Sequence, residues 1–375
     1  MFDGIQLNLL IGPGMPIPVS TEVIEALDAI QVTGSTQTSG FQLTFKVARN
    51  SSLLNTLLPA GYFDPIVTRV IIIVIVNGLP NVLMDGVVTR QEFAPSNDVG
   101  KSTLTVTGED LSRMMDLVEM PFMRFPAMPI IARVYAILAK YAVLGIAPVA
   151  IPPLIPDISN PLEELPSQRG TDLAYVRELA QKVGYVFYVE PGPAPGSSIA
   201  YFGPDYRLPV PQSALSVNLD AASNVESLSF SLDGTMKKII VITIMDPVTK
   251  KIPIPIPLPN LSLMRPPMGL RLPPPSKLEF AEGMAALGPA DALNTALGIL
   301  LSANDSITAS GSIDVLRYGT VLRSRMMVGV RGAGLAYDGM YYVNSVTHNI
   351  KRGEYKQSFN ISRDGLVANV PAVLP

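Results

Sequence analysis

The sequence has no cysteine, no tryptophan and a single histidine in 375 residues. Without cysteine there are no disulfides, no thiolate metal sites and no cysteine nucleophile. One histidine argues against a zinc centre, because such centres draw on several His or Cys ligands. Charge is also scarce. Asp, Glu, Lys and Arg make up 16% of the chain, against ~25% in ordinary soluble domains. Such a chain cannot cover itself in charge, so apolar surface is expected to meet protein partners. The formal net charge of −3 gives no electrostatic case for nucleic acid. The opening MFDGIQLNLL has no basic segment followed by a long apolar one, so it does not read as a secretory signal. The expectation is a chain made and assembled in the cytoplasm.

Apolar residues are plentiful, at 48%, with a mean hydropathy of +0.33. Two stretches raise the question of a membrane. RVIIIVIVNGLP, Arg69 to Pro80, holds the aliphatic run Val70–Val76. A bilayer core needs about 20 apolar residues in a helix, so this run is too short. The longer stretch, Met128 to Pro156, is interrupted by Arg133 and Lys140 and broken by prolines from Pro148 onward. Charges at a helix centre cost about 2.5–3.5 kcal/mol each on insertion scales. Direct membrane insertion is therefore not expected, although this stretch keeps a membrane-associated binding protein as a rival reading.

Periodicity gives the organisation. FQLTFKVA alternates, with Phe41, Leu43, Phe45 and Val47 on one face, as a half-buried strand does. Val70–Val76 is apolar on both faces and must be covered on both. Asn77-Gly78 is a tight-turn signal. NVLMDGVVTRQEF and KSTLTVTGED continue as strands, so the first ~110 residues read as an antiparallel meander, a small barrel or sandwich. From Asp110 the character changes. EDLSRMMDLVE and PIIARVYAILAKY read as helices, and a proline-rich connector covers 148–166. GTDLAYVRELAQKVGYVFYVE reads as a helix with Thr171 or Asp172 as N-cap and Gly184 as its stop, followed by a strand. After Ser197 the strands return. KKIPIPIPLPNLSLMRPPMGLRLPPP interrupts them, and its alternate prolines exclude a helix or an inner strand and suggest an extended arm. PADALNTALGILLS reads as a helix, and the tail is again β. One echo links the ends: GVVTRQEF…STLTVTGED is similar to NSVTHNIKRGEYKQSFNISRD, as two copies of one β unit would be.

Catalytic signatures are absent. His348 lies in a strand-like run, and no GxSxG elbow supports a Ser-His-Asp site. A structural histidine is the expectation, with a β-rich serine hydrolase using His348 as the rival. Gly100-Lys101-Ser102 lacks the earlier glycine of a phosphate loop, and a strand follows it. Gly329–Gly334 lacks dinucleotide spacing and reads as a turn or bulge between strands. Glu163 and Glu164 adjoin in a proline-rich connector, unlike the separated acids of a glycosidase. No catalytic residue, cofactor or metal is expected. A generic β-rich binding module stays open as a third reading.

Four stretches carry a resemblance. GTDLAYVRELAQKVGYVFYVEPG, LMDGVVTRQEF…STLTVTGEDLSRMMD, YDGMYYVNSVTHNI…GEYKQSFNISRDG and SGFQLTFKVARN stand in the order found in the phage late control protein D family. That family contains contractile-tail baseplate hubs and the hub part of VgrG-like proteins. The resemblance spans roughly residues 20–365. It implies an α+β, mainly β, fold with two tube-protein-like antiparallel barrels: residues 1–112, then a helical and αβ insertion at 113–196, then 197–375 with a Pro-rich arm (247–276) and a short helical segment. It also implies a homotrimer whose duplicated barrels make a pseudo-sixfold ring between a hexameric inner tube and a trimeric spike. The implied partners are a spike protein, the inner tube protein and baseplate wedge or sheath-associated proteins. The chain departs from VgrG in stopping at Pro375, so the spike is expected to be a separate protein. The Pro-rich arm lies outside the pattern. Expected interface residues are Ile71, Ile73 and Ile75 on the outer face of the aliphatic strand, and Pro253, Pro255, Pro257 and Pro259 in the arm.

Overall fold

The computed structural model describes residues 4–36, 38–98, 100–121, 123–126, 128–153, 166–207, 211–245, 253–258, 267–281 and 305–369. The expected helix at 289–302 and Pro259 lie outside them. The first part of the chain forms β1 (Ile5–Pro13), β2 (Ile17–Pro18), α1 (Thr21–Ala26), β3 (Leu27–Ser35), β4 (Ser39–Val47), β5 (Thr68–Val76), β6 (Leu79–Ala94) and β7 (Ser102–Asp110). The middle holds α2 (Ile130–Leu138), β8 (Ile146–Ala150), α3 (Asp172–Lys182), β9 (Val186–Pro191) and β10 (Ser198–Gly203). The last part holds β11 (Gln212–Ser216), β12 (Val225–Leu232), β13 (Lys238–Met245), β14 (Pro253–Leu258), β15 (Gly269–Arg271), β16 (Lys277–Ala281), β17 (Ile307–Asp314), α4 (Val315–Tyr318), β18 (Met327–Arg331), β19 (Gly339–Lys351), β20 (Glu354–Arg363) and β21 (Leu366–Ala368).

The protein is mainly β, and its sheets are chiefly antiparallel. One 13-stranded sheet carries strands from both ends of the chain, in the order β12-β17-β20-β19-β3-β4-β7-β6-β5-β1-β2, with β18 on β19 and β11 on β18. Its two halves meet where β19 pairs with β3, Thr347 opposite Thr33 and Asn349 opposite Gln31. Among the described residues the ladders do not close into two separate barrels. The strands of both expected barrels belong to this one continuous ladder, in which barrel closure is not detected among the described residues.

Local sequence explains the first half. Alternation in β4 buries Phe41, Leu43, Phe45 and Val47. Asn77 and Gly78 both have positive φ, 51° and 80°, which is what a two-residue hairpin between β5 and β6 demands. β5 splits its aliphatics as the pleat requires. Val70, Ile72, Val74 and Val76 enter the main apolar cluster, while Ile71 and Ile73 join Val82 and Leu10 on the other side.

The middle unit packs α2 and α3 against the three-stranded sheet β8-β10-β9, with its own apolar cluster. Thr171 caps α3, its Oγ1 accepting from the Ala174 N–H at 3.2 Å, and Gly184 follows the helix at φ 69°. The helical expectation is met only partly elsewhere. EDLSRMMDLVE folds as a 3₁₀ turn at 111–116, started by the Asp110 carboxylate accepting from Ser112 N–H and stopped short of Pro121. PIIARVYAILAKY gives nine α residues and then a 3₁₀ turn ending at Gly145 (φ 78°).

The Pro-rich arm contributes an ordered strand. β14 pairs antiparallel with β13, Pro253, Pro255 and Pro257 opposite Met245, Thr243 and Val241, at the edge of the sheet β14-β13-β16. Antiparallel geometry sends the N–H groups of alternate residues to the partner strand. Prolines at every second position therefore fit an edge with their nitrogens turned outward. This is a strand, but not an inner one.

Candidate assembly surfaces

His348 does not build a catalytic site. It is buried in β19, with Nδ1 2.8 Å from the Tyr355 hydroxyl and 3.1 Å from Gln357 Nε2. Gln357 also accepts from Leu322 N–H and donates to Leu322 O, at 3.0 and 2.8 Å. Burial, assisted by the Arg323 charge, pushes the imidazole pKa down to about 3. The ring is thus neutral and serves as a hydrogen-bond acceptor within the sheet core, with no serine or carboxylate among its side-chain partners. Among the described residues no cluster of three or more His, Asp or Glu could hold a metal ion. None of the described helices is long and apolar enough to cross a membrane, the 128–156 stretch included as far as it is described.

The features that stand out are faces and edges. Cross-strand pairing aligns rows of small polar side chains on one face of the long sheet. One row runs Ser229, Ser310, Asn360, Ser345 and Ser35, and the next Ser227, Ser312, Ser358, Thr347 and Thr33. It continues across the joint as Gln31, Gln42 and Thr107, then Thr44 and Thr105. Side-chain bonds tie the rows across strands: Ser227–Ser312 at 2.8 Å, Ser229–Ser310 at 3.2 Å, Thr33–Thr347 at 3.3 Å and Asn360–Ser345 at 3.1 Å. Charges on this face are largely paired, Lys46 with Asp28 and Lys356 with Glu226 and Glu354. The opposite face carries an apolar cluster in each half of the sheet.

The two halves repeat each other. In the first the order is β3-β4-β7-β6-β5, and in the second β12-β17-β20-β19-β18. Register irregularities fall at the same places. β3 shifts between Leu27 and Ala29 where β12 shifts between Val225 and Ser227. β6 shifts between Val88 and Arg90 where β19 shifts between Val343 and Ser345. The sequence echo falls on the matching hairpins, β6–β7 and β19–β20.

The expected interface residues are placed as follows. Ile71 and Ile73 are 2% and 7% exposed, and Ile75 is half-buried. Their side of β5 is covered in part by the middle unit. Arg69 forms a two-pronged ion pair with Asp85, both bonds 2.7 Å, and donates to Gly196 O at 3.1 Å, while Ser198 Oγ donates to Asp85 at 3.3 Å. Pro253, Pro255 and Pro257 lie together on the β14 edge, in a different sheet from β5. Sequence reasoning missed the hydroxyl face. Its signal was present in the alternating Ser and Thr of SLSFSL, ITASGS and STLTVT.

No protein-family model matches the sequence, and no curated protein matches it. Solved structures do. The chain is similar to the tail protein from Neisseria meningitidis, with TM-score 0.62, 14% identity, and 97% of this chain and 98% of that one covered. It is similar to the 43 kDa tail protein of prophage MuSo2 from Shewanella oneidensis, with TM-score 0.60, 13% identity, and 96% and 100% covered. It also matches an E. coli protein described as a component of the type VI secretion system, with TM-score 0.51, 11% identity, and 93% and 77% covered. The fold is thus that of phage tail proteins and of a secretion-system relative, in agreement with the hub-like resemblance.

Proposed function

We propose that this chain is a structural baseplate hub subunit of a phage tail or contractile injection system. Three copies form a ring with pseudo-sixfold character that adapts a hexameric inner tube to a trimeric spike. The observation that carries this reading is the repeat of one strand order, with its bulges, fused within a single sheet. Two such units per chain give three copies six similar outlines. The fold shared end to end with tail proteins supports it.

The apolar clusters on the face opposite the hydroxyl rows add bulk behind them, and a ring has more room outside than inside. The hydroxyl face therefore lines the bore. The middle unit and the β14 edge point to other baseplate proteins, with Ile75 the member of the β5 set left half-exposed for them.

Light scattering and electron microscopy of the full chain test the reading, with and without a co-expressed spike protein. A trimer is the expected result, and a monomer indifferent to both spike and tube would overturn it. The hydrolase reading is separated by His348→Ala, which must abolish turnover if that reading holds.

A further inference from the structure

We infer that β14 is a guard strand: its outer edge accepts hydrogen bonds and donates none, so the sheet β14-β13-β16 cannot grow past it by strand addition. This goes beyond the ring reading and does not rest on it. The feature that carries it is the register of three alternate prolines against the strand they cover.

The covered strand is the hazard. β13 reads KIIVITIM, Lys238–Met245. From Ile239 to Met245 it holds only Ile, Val, Thr and Met, with no charge, proline or glycine. A run of that length and composition stacks into cross-β wherever its edge stays open. Lys237, Lys238, Asp246 and Pro247 bracket it in the sequence, as charged and proline flanks commonly do. Flanks restrain the two ends of a strand. They leave its lateral edges open, and a lateral edge is where another strand adds. On one side β16 closes β13 in parallel, Ile239 opposite Leu278 and Val241 opposite Phe280. On the other side stands β14.

In an antiparallel ladder, opposed residues alternate between pairs that exchange both backbone bonds and pairs that exchange none. Proline has no N–H. The pairs Met245–Pro253, Thr243–Pro255 and Val241–Pro257 are therefore the non-bonded ones, and Ile244–Ile254, Ile242–Ile256 and Ile240–Leu258 carry the bonds. β14 thus spends its donors on β13. What faces away is the backbone of Pro253, Pro255 and Pro257: carbonyls with no N–H between them. An ordinary strand laid on this edge makes only half of its bonds, those from its own N–H groups. A second β14 makes none. Carbonyls left without donors are expensive to bury, so this edge fits water or side-chain donors such as Lys, Arg, Asn or Ser, and not another sheet. The spacing is essential. Proline at 254 or 256 would break the pairing with β13, and any other residue at 255 would return a donor to the outer edge.

Restoring the donors tests this. The full chain carrying Pro253→Thr, Pro255→Thr and Pro257→Thr regains three outward N–H groups. A control, Ile254→Thr with Ile256→Thr, alters the same strand and gives the outer edge no donor. Sedimentation velocity compares both with the parent, and infrared amide I spectra report added intermolecular strand. The proline variant should associate beyond the parent's own oligomer, its association constant raised at least about tenfold by three new backbone bonds. The control should keep the parent's state. If the triple change abolishes cooperative urea unfolding, Pro255→Thr alone decides, with a smaller rise expected. A folded proline variant that associates no more than the parent overturns the guard role. So does a control that associates as strongly as the proline variant.

Discussion

Phe93 and His348 occupy the same place on equivalent strands, β6 and β19. One is 43% exposed and the other 6%. The strands do not differ enough to explain this; their neighbours do. β19 has β3 beyond its residues 345–351 in the same chain, whereas among the described residues no strand lies beyond residues 89–94 of β6. The same ladder position is thus a buried joint in one half and an open edge in the other, and exposure there records which strand follows rather than which residue is present. The cores differ too. Leu104 of β7 and Gln357 of β20 are equivalent through the register, yet the first sits among aliphatics and the second in the His348–Tyr355–Leu322 hydrogen-bond cluster. A further contrast lies at the outer strand. β5 continues into an antiparallel β1, whereas β18 takes a parallel β11.

Exchanging the two halves' residues breaks the comparison most sharply. Leu104→Gln places an amide where no partner waits, and should cost about 3–5 kcal/mol in urea unfolding through lost packing and an unpaired polar group. The pH response comes next. The folded-state His348 pKa lies near 3, below the ordinary 6.5, so the unfolded chain binds the proton that the folded chain refuses. Above pH 6.5 the group contributes no slope. As pH falls below that, stability is lost at about 1.4 kcal/mol per unit, about 2–3 kcal/mol by pH 4.5. Unfolding midpoints from pH 7.5 to 4.5 should show this loss in the parent chain and lack it in His348→Gln. Gln357→Leu copies the first half into the second and strands the Leu322 N–H and C=O, a cost of about 1–3 kcal/mol. Ser229→Ala removes two long, exposed hydroxyl bonds to Ser310 and should stay within about 0.5 kcal/mol.

The features legible in the sequence were those set by neighbours in the chain. The alternation of β4, the Asn77-Gly78 turn and the caps of α3 are local chemistry, and the structure has them where the spacing put them. The β19–β3 joint was not legible, because a pairing between residues more than 300 positions apart leaves no mark on local periodicity. The parallel pairings of β10 with β8 and β18 with β11 were missed for the same reason. The arm was read correctly as unfit for an inner strand. That it forms an edge depends on β13, whose pairing the prolines themselves do not reveal. In β5, the seven-residue aliphatic run required cover on both faces, and the Arg69–Asp85 pair with Gly196 and Ser198 supplies part of it from the middle unit.

The hydroxyl rows have a consequence for anything that moves along them. Serine and threonine exchange their bonds with water at a net cost of only about 0.5–1.5 kcal/mol each. They offer neither the aromatic plates that hold a base nor the unpaired cations that hold a phosphate. A wall made of them stays wetted and grips little, so in the proposed ring a passing chain would meet only shallow contacts. On the ring reading proposed above, the stickiness lies at the back of the sheet and the front is a bearing surface.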